Sequence, residues 1–227
     1  MNNSNAVSVL YKKLVRAGKV NEDLGQINVI NALDDLYNQV SSKTYFNNIF
    51  SDKKNMGVYI FGKVGRGKSY LMDIFYKLVQ YKRCMRVHQH DFMKHIYEYM
   101  KQGRSLNNKD PLKYAVDKYT KKIHLLCIDE FEVLDVADAM ILERIYNLLF
   151  KKNIKVVLTS NTSPSDLYKN GLQRIRFVPF INLVENFMII SEVLAGKDYR
   201  IKISKKKGMH EFQDFYYLPS NTKLCLN

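Results

Sequence analysis

Gly62-Lys63-Val64-Gly65-Arg66-Gly67-Lys68-Ser69 is the stretch whose reading decides the fold. Its spacing is G-x-x-x-x-G-K-[ST]. The apolar run Val58-Tyr59-Ile60-Phe61 precedes it and reads as a buried strand. Leu71, Ile74, Phe75, Leu78 and Val79 follow at the spacing of one helix face. Strand, glycine loop and helix in that order turn a motif match into a nucleotide site. The glycines let successive backbone N–H groups point at phosphate oxygens, and the helix adds its positive N-terminus. Gly62, Lys63, Val64, Gly65, Arg66, Gly67, Lys68 and Ser69, with Tyr70 next on the helix, are therefore the candidate nucleotide-binding residues. Lys68 would neutralise the outer phosphates, and the Ser69 hydroxyl would ligate Mg²⁺.

A second apolar run, His124-Leu125-Leu126-Cys127-Ile128, ends in Asp129-Glu130. A strand ending this way can set Asp129 behind the Mg²⁺ and Glu130 beside an attacking water. The run Val156 to Ser160 ends at Asn161, an amide able to reach the γ-phosphate and the water; a plain turn residue is the alternative. Further on, Asn170-Gly171-Leu172-Gln173-Arg174-Ile175-Arg176 offers two arginines. Either could be an arginine finger acting on a neighbouring subunit, or simply a basic helix end.

These residues carry a resemblance. The chain resembles the AAA+ ATPases of the ZapE/AFG-one type, the bacterial cell-division ATPase and its mitochondrial relatives. The matching stretches are Tyr59 to Asp73, Arg86 to Met93, Cys127 to Phe131 with Asp135 to Leu142, Thr159 to Asn161, Asp166 to Arg174 and Asp198 to Arg200. The phosphate loop is shared by many NTPases, whereas the Asp-Glu-Phe and Asn-Gly-Leu-Gln-Arg segments are much narrower. The resemblance implies Walker A at Gly62–Ser69, Walker B at Asp129 and Glu130, sensor 1 at Asn161 and a finger at Arg174, with Arg176 second. Catalysis would then rest on Glu130, Lys68, Asn161 and Arg174, and the metal on Ser69 and Asp129. The resemblance also sets Asp23 and Gln26 near the adenine.

Alternating strand and helix patterns along the chain predict an α/β fold with a mostly parallel sheet covered on both faces. The strands are expected near 58–61, 85–89, 124–128, 156–160 and 187–194, and a helix near 138–150. The best internal loop candidate runs from Lys101 to Pro111. The resemblance implies a P-loop NTPase of AAA+ type, a three-layer sandwich with strand order 5-1-4-3-2. Three segments are expected: an N-terminal helical lead-in over 1–50, the ATPase core over 51–200 and a shortened C-terminal segment over 201–227. The chain ends soon after Arg200, in a lysine run and an aromatic cluster near 212–217, so the helical lid of such modules is expected to be missing or vestigial. A chain so shortened would bind ATP weakly and be mostly monomeric.

The formal net charge is +14 over 227 residues, with lysines spread along the whole length. That balance admits a nucleic acid or an anionic membrane surface. No stripe of basic and interleaved aromatic residues stands on one element, so nucleic acid ranks behind compositional drift. Cys84, Cys127 and Cys225 form no C-x-x-C pair, which suits a reducing compartment. His88 and His90 alternate as if on one strand, too few for zinc without a third ligand. No leader is visible at the N-terminus and no apolar run is long enough to span a bilayer, so a bacterial cytoplasmic location is expected, with peripheral contact at the inner membrane allowed. The combined expectation is a Mg²⁺-dependent ATPase. It would work as a homo-oligomeric ring in full-length family members and remodel a protein client in division or membrane-protein quality control. A helicase-loader-like ATPase on nucleic acid and a small-molecule P-loop kinase are the rivals. No N-K-x-D segment for guanine is present.

Overall fold

A computed structural model describes residues 5–41, 55–80 and 83–194. The segment 201–227, with its lysine run and aromatic cluster, lies outside the described residues, as do Asp198–Arg200 and any lid. Five parallel strands form the sheet there: β1 (Gly57–Phe61), β2 (Cys84–His88), β3 (Leu125–Asp129), β4 (Lys155–Ser160) and β5 (Ile189–Glu192). Their order across the sheet is β2-β3-β4-β1-β5. This is the expected 5-1-4-3-2 counted from the opposite edge.

The period-two alternation of strand side chains divides the core into two layers. Val58, Ile60, Cys127 and Val157 point to one face, where α1 (Ala6–Arg16), α2 (Ile27–Ser41) and α3 (Lys68–Val79) bring Val7, Leu33, Leu36, Leu71 and Phe75. Tyr59, Leu126, Ile128, Val156 and Leu158 point to the other. There α4 (Gln89–Ser105), α5 (Pro111–Tyr119), α6 (Val136–Lys151) and α7 (Val178–Phe187) supply Phe92, Leu112, Tyr146 and Phe180. The result is helix, sheet, helix. The N-terminal helices share the first of these layers with the sheet.

Local chemistry sets the helix ends. Asp110 and Asp135 cap α5 and α6 by accepting from Lys113 N and Ala137 N. The helix α1 has no side-chain cap of its own. Asp34, buried on α2, reaches across instead and accepts from the backbone of Val7 at 2.7 Å and Ser8 at 3.1 Å. A carboxylate there meets both orphan donors and the positive helix end.

Two sequence expectations change. The loop read over Lys101–Pro111 is shorter, because α4 continues to Ser105. Gly103 is helical there since α5 packs against it: a Cβ would come within 3.0 Å of the Tyr114 ring. His88 and His90 do not share a strand. His88 ends β2 and His90 lies in the first turn of α4, whose N-terminus Asp91 favours by its charge.

Candidate active site

Register brings the motifs together. Phe61 pairs with Ser160 and His88 with Asp129, while Ile128 pairs with Leu158. The segments that follow β1, β3 and β4 thus leave the sheet side by side at its carboxyl edge, where open α/β sheets bind ligands.

The loop after β1 turns into α3 at Gly67, which has φ 84°. A side chain there would be strained, and its Cβ would come within 2.9 Å of Gln26 Nε2. Lys68 is the first residue of α3 and is buried. Its Nζ donates to the Gly62 carbonyl at 2.7 Å, the Lys63 carbonyl at 3.0 Å and Asn161 Oδ1 at 3.0 Å. Lysine, loop and the residue after β4 are therefore one hydrogen-bonded unit. Asn161 is held in turn by its neighbours. Ser160 Oγ donates to the Phe131 carbonyl at 2.8 Å, and Tyr59 Oη donates to the Thr162 carbonyl at 3.0 Å.

Asp129 is buried at the end of β3. Its Oδ2 accepts from Arg86 Nε at 2.6 Å and its Oδ1 from Thr159 Oγ1 at 3.1 Å. The same guanidinium bonds Asp73 of α3 through Nη1. Burial works against the Arg86 charge, but Asp129 and Asp73 outweigh it and raise the pKa. Burial raises Asp73 above the usual carboxylate value, with Arg86 opposing. Glu130 has φ 53°, and its backbone N–H donates to Thr159 Oγ1 at 3.1 Å. That turn sends its side chain into solvent, 77% exposed and 3.8 Å from His88 Nδ1. Adjacent residues of one strand end thus diverge, one inward and one outward.

Gln26 follows a turn opened by Asp23, which accepts from Gly25 N at 2.9 Å. Gln26 Nε2 donates to the Arg66 carbonyl at 3.1 Å, while its Oε1 is buried with no hydrogen-bond partner among the described residues. Tyr70 is half-buried, and burial with Asp73 nearby pushes its pKa up to about 12. Val64 is exposed at the loop's crest. Arg174 opens a tight turn after Gln173 and donates from Nη2 to the Ser165 carbonyl at 2.6 Å. Arg176 is exposed, and so are the flanking Leu172 and Ile175. The structure therefore joins Lys68, Asn161 and the loop directly, sets Asp129 at the neighbouring strand end, and keeps Arg174 on its own loop.

The donors suit a nucleoside triphosphate with Mg²⁺. The N-cap residue of α3 is Gly67, which brings no side chain to the first turn, so that helix end is suited to an anion. Ser69 and Asp129 carry the hard oxygens that Mg²⁺ prefers, and one or two protein ligands suffice when phosphates supply the rest. Gln26 Oε1 is an acceptor in want of a donor. Sequence reasoning gave no role to Arg86, Asp73 and Thr159. A signal did exist: Arg86 is a charge amid Cys84-Met85-Arg86-Val87, and a charge inside a sheet demands a partner.

Glycine loop, buried lysine, acidic strand end and polar strand end lie together on a β2-β3-β4-β1-β5 sheet, and that sheet with its helices is the P-loop NTPase fold of AAA+ type. The chain belongs to the AFG1-like ATPase family, whose model matches residues 6–218. It is 42% identical over 148 residues to the cell division protein ZapE of Escherichia coli K12, covering 64% of this chain and 38% of that protein. It is 40% identical over 173 residues to lactation elevated protein 1 homolog B of Danio rerio, covering 72% of this chain and 33% of that one. The chain thus spans well under half the length of these relatives. Among solved structures, DnaI matches with TM-score 0.54 at 19% identity, over 80% of this chain and 87% of that one. AMPPCP-bound DnaA from Aquifex aeolicus matches with TM-score 0.54 at 18% identity, over 81% and 51%. These two likenesses are of fold. Among the described residues no helix is long and apolar enough to cross a membrane.

Proposed function

We propose that this chain binds ATP with Mg²⁺ at the Lys68 loop and hydrolyses it. The observation that carries the reading is the bonding of Lys68 Nζ to both the loop carbonyls and Asn161. One cation there answers to the phosphate loop and to a polar strand end at once. A bound Mg²⁺ nucleotide supplies the transferable phosphoryl group and the charge that activates it. Loop N–H groups and the start of α3 would receive the phosphates, with Lys68 as their cation. Ser69 and Asp129 would hold the metal. Gln26 Oε1 would take a donor from the nucleotide; adenine offers an exocyclic amine where guanine offers a carbonyl. Glu130, exposed at the end of β3, would take the proton of an attacking water, and Asn161 would orient that water. Arg174, which bonds Ser165 of its own loop in this chain, would act as the finger on the site of a neighbouring copy, with Arg176 the second candidate.

The coupled task is remodelling of a protein client by the homo-oligomeric ring of full-length family members, of which this shortened chain would form less. The 42%-identical relative is named as a cell division protein, which favours the division machinery and a cytoplasmic location, with peripheral membrane contact. ATP turnover measured against protein concentration tests the assembly. Specific activity should rise with concentration, because a finger acting in trans needs a neighbour. Activity per chain that stays flat down to dilute monomer sinks the ring reading. Turnover stimulated by single-stranded DNA, with steep salt dependence, would favour a nucleic-acid-associated ATPase instead. The net charge of +14 keeps that second reading in the comparison.

A further inference from the structure

Both oxygens of Asp129 are engaged by residues that lie outside the phosphate loop and the acidic strand end. Thr159 of β4 takes Oδ1 and Arg86 of β2 takes Oδ2. Arg86 also grips Asp73, one turn beyond Ser69 on the helix that the phosphate loop opens. A single guanidinium thus links an edge strand, the end of β3 and the loop helix. Its side chain is 22% exposed and that of Asp129 only 6%, so solvent screens the contact little. The Tyr76 ring lies 5.9 Å from the guanidinium carbon and limits its movement further. Arginine suits the task because its planar fork can meet two carboxylates at fixed angles, which a lysine ammonium cannot do.

A carboxylate that ligates a cation has to present its oxygens in one orientation. Groups that hydrogen-bond metal ligands supply that orientation, and their loss weakens cation binding. We propose that Arg86, braced by Asp73, is a positioning residue that holds the Asp129 carboxylate in the orientation that receives Mg²⁺ with the nucleotide. The proposal rests on the reading of Asp129 as a cation ligand. Because Asp73 belongs to α3, the brace also keeps Asp129 in step with Ser69, the other oxygen ligand.

The test uses the full 227-residue chain and a fluorescent ATP analogue, N-methylanthraniloyl-ATP, titrated with Mg²⁺. The readout is the Mg²⁺ midpoint for nucleotide tightening, compared with nucleotide affinity in EDTA. Arg86→Met should raise the midpoint about 10-fold or more, the range seen when a ligand loses its supporting bond, with the EDTA affinity unchanged. Arg86→Lys should recover part of the loss, and Asp73→Asn should shift the midpoint in the same direction by less. In an Asp129→Asn background Arg86→Met should add nothing. A folded Arg86→Met variant with the wild-type midpoint, or one that loses EDTA affinity equally, overturns the proposal. Where Arg86→Met does not fold, the isosteric Asp73→Asn decides: a shifted midpoint supports the brace and an unshifted one overturns it. A wild type whose nucleotide affinity ignores Mg²⁺ overturns the reading of Asp129 itself, a result distinct from the others.

Discussion

Lys68 Nζ stands 3.0 Å from Oδ1 of Asn161, across 93 residues of chain. The pair joins the loop that follows β1 to the residue that follows β4. Lys68→Ala should abolish ATP binding in calorimetry or weaken it severely, since the loop loses the cation that answers the phosphates. Asn161→Ala should leave binding nearly intact and slow turnover by about 10²-fold, the cost of one lost polar group in a reacting site. Tight binding by Lys68→Ala would remove the lysine from the nucleotide site.

Glu130→Gln keeps the size of the side chain and removes its basicity. The exposed carboxylate turned out at φ 53° should be dispensable for ATP binding. Turnover should fall by about 10²- to 10⁴-fold, the range for loss of a general base. Single-turnover hydrolysis with a quench checks it, and a wild-type rate takes Glu130 out of the mechanism.

Arg174→Ala should bind ATP as the wild type does and lose about 10³-fold in hydrolysis, as expected of an arginine finger. Mixing Arg174→Ala with Glu130→Gln should restore part of the activity, because one shared interface then carries both intact groups. If mixed assemblies form by native mass spectrometry and stay inactive, the assignment in trans is wrong. Arg176→Ala serves as the control; the larger loss there would exchange the two roles.

Asp34→Ala should lower stability by about 1–2 kcal/mol, the usual cost of a lost helix cap. The buried carboxylate holds the Val7 and Ser8 N–H groups, and alanine leaves both without it. Urea denaturation followed by circular dichroism measures this as a lower midpoint with unchanged slope. An unchanged midpoint would show that water satisfies the start of α1 equally well.

Contiguous chemistry was legible before any fold was known. Val58 to Val79 declares strand, loop and helix, because the phosphate loop needs its glycines, lysine and hydroxyl at fixed offsets and an apolar helix face follows at once. Asp129-Glu130 and Asn161 could be marked for the same reason, each sitting at the end of an apolar run. The alternation of apolar strands and amphipathic helices implied a parallel sheet, since strands apolar on both faces need cover on both. What depends on partners far apart in sequence was a matter for the tertiary structure. The Asp73–Arg86–Asp129 link, the Thr159 bond and the capping of α1 by Asp34 arise only when separate elements pack. Helix packing likewise made Gly103 a contact point where turn chemistry had read a loop. Local preferences act over a few residues, whereas a buried charge finds its partner through the three-dimensional course of the whole sheet, so Arg86 could be seen to need a partner long before it could be seen which one.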